Sequence, residues 1–428
     1  MRCPVNRAVA ADFSMTPRYR TADQTWVRER NLSIVLRYIW EADGPIARAR
    51  LTEMSGLNKS TVGALLAQLQ SWGFVRESGT QNVGPGRPGV LIDTNPDVGR
   101  IIGVEIGVDF ISVVLTDLRA NVVWRQQVDT NGAAKAGHTQ VLAQAERLVC
   151  EAIEQARANG VRVLGIGVGV PGLMDHATGT LLFAPNLGWR DVPLRDLWQT
   201  AFQVPVIVEN EANAAALGER MLGAARGYDN FLYLSAGVGL GGGFVIDGKL
   251  YGGAGGYAGE IGHMTLAPDG PQCNCGNRGC WETLIGPRAI IDRVRQAAAL
   301  GHAPVLMGLP EVKGEVSAIR MDHVLHAAAL NEPAVLNAFD EVGRYLGIGV
   351  ASLVNAFNPS LVVLGGVLSL AGPYILQRAQ QEVSVRALAA ARESVTICLS
   401  AFKFDACVMG GVSLIVRDIL SNPAEWQV

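Results

Sequence analysis

The sequence predicts an α/β protein in which a small helical unit precedes a larger wound body. Three observations carry this. Apolar strand-like runs alternate with helical patterns beyond residue 96. A helix-turn-helix spacing lies ahead of them. Charge also changes sign along the chain: residues 1–95 hold twelve Lys and Arg against eight Asp and Glu, whereas the remainder holds 24 against 31. At 428 residues, 49% of them hydrophobic, the chain exceeds one ordinary domain and can bury more than one core. The overall net charge of −3 excludes a wholly basic protein and makes the basic front end a local feature.

Residues 1–23, rich in mixed polar residues, Pro and Arg, read as a disordered tail. They lack the apolar segment and cleavage site of a secretory signal, and no apolar run approaches the roughly 18 residues that span a bilayer. Seven cysteines, three of them between 273 and 280, fit a reducing compartment and a metal site better than a disulfide framework. The expectation is a cytoplasmic protein with no membrane partner.

Residues 24–95 read as a winged helix-turn-helix. Val27, Ile34, Val35, Tyr38 and Ile39 recur at helical spacing over residues 26–42, and Gly44-Pro45 ends that helix. A second short helix covers 47–55, and Gly56 supplies the turn. Asn58 is a good N-cap for a third helix whose inner face is Val62, Leu65, Leu66 and Leu69. That helix turns Asn58, Lys59, Ser60, Thr61 and Ala64 outward from its first turns, the part that enters a major groove. Gly73 stops it, and the following residues read as a hairpin wing tipped by GPGRP. Arg87 in the tip suits a minor-groove or phosphate contact. The plainer alternative is a three-helix packing unit with solvated charges. Turn, outward face and Arg-tipped wing together favour double-stranded DNA as a partner.

Residues 96–428 form the body. IIGVEIGVDFISVVLTDL reads as two hairpin strands, with a helix after it to residue 158. VRVLGIGVGVPG and PVIVEN are buried strands, the second running into a helix at 212–222. NFLYLSAGVGLGGGFVIDGKL gives two strands around a glycine-rich turn; FNPSLVVLGGVL gives another strand, and 405–419 a closing helix. SAGVGLGGG and VLGGV are rich enough in glycine to let backbone N–H groups approach phosphate, but neither matches a nucleotide fingerprint, and tight hairpins explain them equally well.

Between residues 259 and 282, His263, Cys273, Cys275 and Cys280 supply three thiolates and an imidazole, the donor set of a closed, structural Zn²⁺ site. The alternative is three idle thiols and a surface histidine. Glu260 and Glu282 flank this set, so a bound metal would also fix two carboxylates and orient the second nitrogen of His263. A polyhydroxylated ligand is served by such oriented groups; otherwise both glutamates are solvated charges.

GVPGLMD, APNLGW, ENEANAAALGE, the cysteine segment and FNPSLVVLGG, in this order behind a winged helix-turn-helix, resemble the ROK family of repressors and sugar kinases over about residues 28–420. The resemblance implies an actin-like or hexokinase-like two-lobed body with sugar in the cleft. It also implies sugar ligands at Asn210, Glu211, Glu260, His263 and Glu282, with a backbone contact at Gly172.

Departures from the family's kinase pattern bear on activity. Glu211 stands where family kinases carry an aspartate base, and a misplacement of about 1 Å can cost roughly a hundredfold in rate. Val108, Asp109 and Phe110 replace the Gly, Thr and Lys of the first phosphate loop, and Ala236 replaces a threonine of the second. The expectation is therefore a sugar-responsive repressor without catalytic residues. ENEANA with Glu211 also resembles the xylose-repressor branch of the family, which implies xylose, then glucose, as effector; the assembly expected is a homodimer or larger, with third helices about 34 Å apart on an operator. The rivals are an ATP-dependent sugar kinase with a DNA-binding appendage and a partner-regulated DNA-binding scaffold.

Overall fold

The structure, a computed structural model, describes residues 23–81, 89–130 and 137–427. The chain divides into two compact units: one holds the described residues through Thr94 together with those from Ile419 onward, the other Asn95–Asp418.

In the first unit, α1 (Gln24–Glu41) begins at Asp23, whose side chain accepts the Trp26 N–H at 2.7 Å. After β1 (Ile46–Ala47) come α2 (Arg48–Ser55) and α3 (Lys59–Ser71), then β2 (Val75–Gln81) and β3 (Gly89–Thr94). Gly56, at φ 67°, ends α2 in the left-handed region that a side chain would disfavour, and so turns the chain into α3. Leu36, Ile39, Leu51, Val62, Leu66 and Leu69 are fully buried where the three helices meet. β3 pairs antiparallel with both β1 and β2. Arg87 and the tail through residue 22 lie outside the described residues. The sequence boundary assigned everything after residue 95 to the body; instead the chain from Ile419 packs in this unit. There the short helix Pro423–Trp426 buries Pro423 and Trp426, and Ser421 Oγ lies 3.5 Å from Arg37 Nη2. A four-residue helical turn is too short to carry a readable period, so this return was hidden in the sequence.

The second unit contains two five-stranded sheets of the same topology. In the first, β4 (Arg100–Ile106), β5 (Phe110–Thr116) and β6 (Val122–Asp129) form an antiparallel meander. β7 (Val163–Val170) pairs parallel on the other side of β4. β8 (Leu173–Asp175), β9 (Thr180–Ala184) and β10 (Trp189–Val192) make a small separate sheet, and β11 (Val206–Asn210) then pairs parallel with β7. The second large sheet repeats this plan: β12 (Phe231–Ala236), β13 (Leu240–Ile246) and β14 (Lys249–Leu250) form the meander, and β15 (Leu361–Gly366) and β16 (Thr396–Leu399) pair parallel in turn beyond β12. The helix His138–Ala158 covers the first sheet with Val141, Ala145, Val149 and Ala152. The 25-residue helix Pro333–Phe357 and its neighbours form the core beside the second.

Two helices occupy the centre of this unit. Glu211–Leu222 starts at the end of β11 and buries Ala212, Ala214, Ala215 and Ala216. The closing helix Ala406–Ser421 passes so close that a Cβ on Gly410 would lie 2.0 Å from Ala214 O, and one on Gly167 of β7 would lie 1.9 Å from Gly411 O. Glycine is required on both faces because backbone meets backbone with no room for a methyl group. Among the described residues no helix is long and apolar enough to cross a membrane.

Candidate functional site

The first unit presents the outward face of α3. Lys59, Ser60 and Ala64 are exposed and Thr61 is half-buried, while Val62, Leu65, Leu66 and Leu69 face the core. Asn58 has a different task from its neighbours: its Oδ1 accepts the Thr61 N–H at 2.8 Å and the Ser60 hydroxyl at 2.7 Å, so its oxygen is committed to the helix cap. Sequence reasoning missed Arg28 of α1, which donates from Nε and Nη2 to Gln68 Oε1 of α3 at 2.9 and 2.6 Å and braces that helix. The pairing joins positions forty residues apart, so no local pattern announces it.

In the second unit, the equivalent first hairpins of the two large sheets turn toward one cavity of about 130 Å³. Gly107, Val108, Asp109 and Phe110 line it from the first turn and Gly237, Val238 and Gly239 from the second; Glu105 and Glu211 lie between. The N–H of Gly107 is taken by Phe110 O at 2.9 Å, and that of Gly237 by Gly239 O at 2.9 Å. A Cβ on Gly107 would lie 3.0 Å from the Phe110 ring, so that side chain folds over the turn. Two glutamates, one aspartate and a phenyl ring make poor company for a phosphate, although Lys403 also reaches the cavity. Among the described residues Glu105 Oε2 is buried without a hydrogen-bond partner. Burial, then the nearby Glu211 and Asp405, hold the Glu105 carboxyl well above its usual range, with Arg125 opposing.

Glu211 opens the central helix. Burial, reinforced by Glu260, pushes its carboxyl up to about 7. Asn210 caps the same helix, its Oδ1 accepting Ala212 N at 2.9 Å and Asn213 N at 3.3 Å, while its amide donates to Gly172 O at 3.1 Å. The capping leaves one amide hydrogen of Asn210 for a ligand. Gly172, at φ 129°, must be glycine because a Cβ there would lie 2.6 Å from Phe183 O. One junction thus joins Gly172, Asn210 and Glu211.

The cysteine segment forms the other side. The ligand atoms of His263, Cys273, Cys275 and Cys280 all lie within 4.8 Å of one another, so this cluster can hold a metal ion. Cys275 Sγ and Cys280 Sγ are 3.6 Å apart, and Cys273 Sγ is 3.8 Å from His263 Nδ1. A tetrahedron with Zn–S bonds near 2.3 Å has edges of about 3.8 Å, so the donor set fits. His263 Nδ1 faces the thiols while Nε2 points to Glu260, 3.9 Å from its Oε2. Glu282 Oε1 accepts from Cys273 Sγ at 2.8 Å and lies 3.8 Å from His263 Nδ1; its Oε2 is near Gly239 of the cavity turn. Burial and Glu282 raise the Glu260 carboxyl against the pull of His263. Trp281, unread in the sequence, anchors this corner: fully buried, it donates to Tyr345 O at 3.1 Å. Gly279 is fixed by steric need, since a Cβ there would sit 1.5 Å from Ala267 O.

Glu260 and Glu282 therefore flank the metal-ligand cluster on either side of His263, and Glu211 links Glu260 to the cavity. The arrangement offers carboxylates and one oriented imidazole to a ligand rich in hydroxyl groups.

Comparison with known proteins places these features. Residues 101–418 match the ROK family, and residues 33–79 match the IclR helix-turn-helix domain. The chain is 36% identical over 399 residues to a putative xylose repressor of Caldicellulosiruptor sp. (strain Rt8B.4), covering 93% of this chain and 98% of that one. Among solved structures it resembles a ROK family transcriptional regulator described as a homolog of the E. coli MLC protein, with a TM-score of 0.79, 28% identity, and 92% and 97% of the two chains covered. It also resembles a ROK family glucokinase from Streptomyces griseus in complex with glucose and AMPPNP. There the TM-score is 0.65 at 33% identity, with 74% of this chain and 99% of that one covered.

Proposed function

The chain belongs to the ROK family, and from that premise we propose that it is a sugar-responsive DNA-binding transcriptional repressor that senses an aldose, xylose before glucose, in the body. One observation carries the reading: the similarity to a xylose repressor runs through the helix-turn-helix and covers 93% of the chain, whereas the glucokinase covers 74% of it. α3 reads the operator through Lys59, Ser60, Thr61 and Ala64, with Asn58 capping it and Arg87 on the wing. The sugar is held by Asn210, Glu211, Glu260, His263 and Glu282 and the backbone at Gly172. Zn²⁺ on His263, Cys273, Cys275 and Cys280 is structural: it fixes the imidazole and Glu282 and supplies no open coordination position.

The protein does not act as a kinase in this reading, because Val108, Asp109 and Phe110 crowd the first phosphate turn. It works as a homodimer or larger assembly in the cytoplasm, so that two copies of α3 meet successive major grooves. Sugar changes operator affinity only through unequal affinity for two conformations, a coupling of about 1–3 kcal/mol in typical cases.

The test is an electrophoretic shift assay on the upstream region of the protein's own gene, with and without xylose and glucose. A shift relieved by one sugar is the expected result; no shift at any protein concentration up to micromolar rejects the repressor. A coupled assay with ATP, Mg²⁺ and both sugars addresses the kinase, for which turnover above about 1 s⁻¹ is ordinary.

A further inference from the structure

Near the proposed sugar site, His176 is a titratable group that neither the metal cluster nor the proposed ligand positions account for. It directly follows β8, the strand that leads away from Gly172. Its Nδ1 lies 3.4 Å from Glu209 Oε2, and the two side chains are 41% and 10% exposed. The other oxygen of Glu209 is fixed by Asn210 N at 2.7 Å and Asn213 Nδ2 at 3.1 Å. A nearly buried carboxylate, itself held by the strand-end motif, therefore stands beside Nδ1.

The opposite edge of the ring faces the glycine-rich loop that runs from β14 to Glu260. A Cβ on Gly256 would lie 3.5 Å from His176 Cδ2 and 3.7 Å from Nε2. Gly256 and Gly259 stand at φ 82° and 98°, so this approach uses conformations that side chains disfavour. Two other segments thus approach this imidazole: the strand end at Glu209 and, at Gly256, the loop that leads to Glu260. Among the described residues Nε2 has no hydrogen-bond partner.

We infer that His176 is a further hydroxyl-contacting residue of the sugar site, with Nδ1 held by Glu209 and Nε2 presented to the ligand. The inference rests on the sugar-sensing reading above and adds a specificity-determining residue to it. An imidazole anchored at one nitrogen offers a single oriented polar atom at the other, which selects one hydroxyl of an aldose by position. A histidine that merely neutralised Glu209 would be indifferent to which hydroxyls the sugar carries.

The experiment is calorimetric titration of the full chain with xylose, glucose and their monodeoxy analogues, using wild type, His176→Ala and His176→Gln. Thermal melting and metal content serve as folding controls, and the half-exposed position tolerates both substitutions. The Ala variant is expected to weaken binding of the preferred aldose about three- to tenfold, the size of one net hydrogen bond. That loss disappears for the one analogue lacking the contacted hydroxyl, and Gln recovers part of it. Unchanged affinity in the Ala variant, or an equal loss for every analogue, overturns the inference while leaving sugar sensing intact. Wild type that binds no sugar at millimolar concentration overturns the sensing reading and this inference with it.

Discussion

Replacing Glu211 by glutamine tests the electrostatics of the cleft directly. The native carboxyl is pushed from 4.5 to about 7 by burial and by Glu260. At about 1.4 kcal/mol per pKa unit, ionising it in the folded body costs on the order of 3 kcal/mol. Because the folded value lies above the unfolded one, stability tied to this group is present below about pH 4.5 and is lost as pH rises through about 7. A carboxamide in its place stays neutral and avoids that loss. Over a body of this size about 3 kcal/mol corresponds to roughly 5 °C in melting temperature. Thermal melts of ligand-free wild type and Glu211→Gln from pH 5 to 8 are expected nearly to coincide at pH 5, with the variant about 5 °C higher at pH 8. Comparing the two proteins cancels the pH dependence of the metal cluster. Glu105, raised in the same direction, relaxes when its charged neighbour is removed and enlarges the gap. Parallel curves across this range, or a wild type that is the more stable at pH 8, would refute the assignment of Glu211 as a strained carboxylate.

Four further outcomes follow from the geometry. Glu211→Asp is expected to leave phosphoryl transfer from ATP below about 1 s⁻¹ in a coupled assay, because Val108, Asp109 and Phe110 still line the phosphate turn. Cys275→Ser, or a chelator on wild type, is expected to remove bound metal by elemental analysis and to weaken sugar titration, since His263 and Glu282 lose their brace. Gly167→Ala places a methyl group 1.9 Å from Gly411 O, backbone against backbone. Overpacking of this kind costs about 1–3 kcal/mol or more, visible as a lower midpoint in urea. Lys59→Ala is expected to weaken operator binding and, if the ammonium meets a phosphate, to reduce the slope of log affinity against log salt by about 1 per protomer.

The site was legible unevenly, and the reason differs from residue to residue. His263, Cys273, Cys275 and Cys280 stand within eighteen positions of one another, so chain proximity alone announces a shared centre. The α3 face was readable because a helical period of about 3.6 residues separates Val62, Leu65, Leu66 and Leu69 from Lys59, Ser60 and Ala64. Arg28 on Gln68 and Arg125 on Asp405 join positions 40 and 280 apart, and neither pairing leaves a local mark. Glu211 was noticed as a departure from a family pattern. Its neighbour Glu105 lies in a strand pattern that carries no sign of the coupling to Glu211, because the two stand more than a hundred positions apart.

What the sequence determined by itself was the set of local units: which stretches curl, which extend, where glycine breaks them, and that sulfur and imidazole gather in one segment. Periodicity and short-range spacing decide these, because the physics acts over a few residues. Tertiary structure alone decided that the two large sheets share one topology and bring equivalent hairpin turns to a single cavity. It alone decided that the chain from Ile419 returns to the N-terminal unit, and that His176 lies between Glu209 and Gly256. These facts depend on burial and close approach between segments tens to hundreds of residues apart, which a linear pattern does not encode.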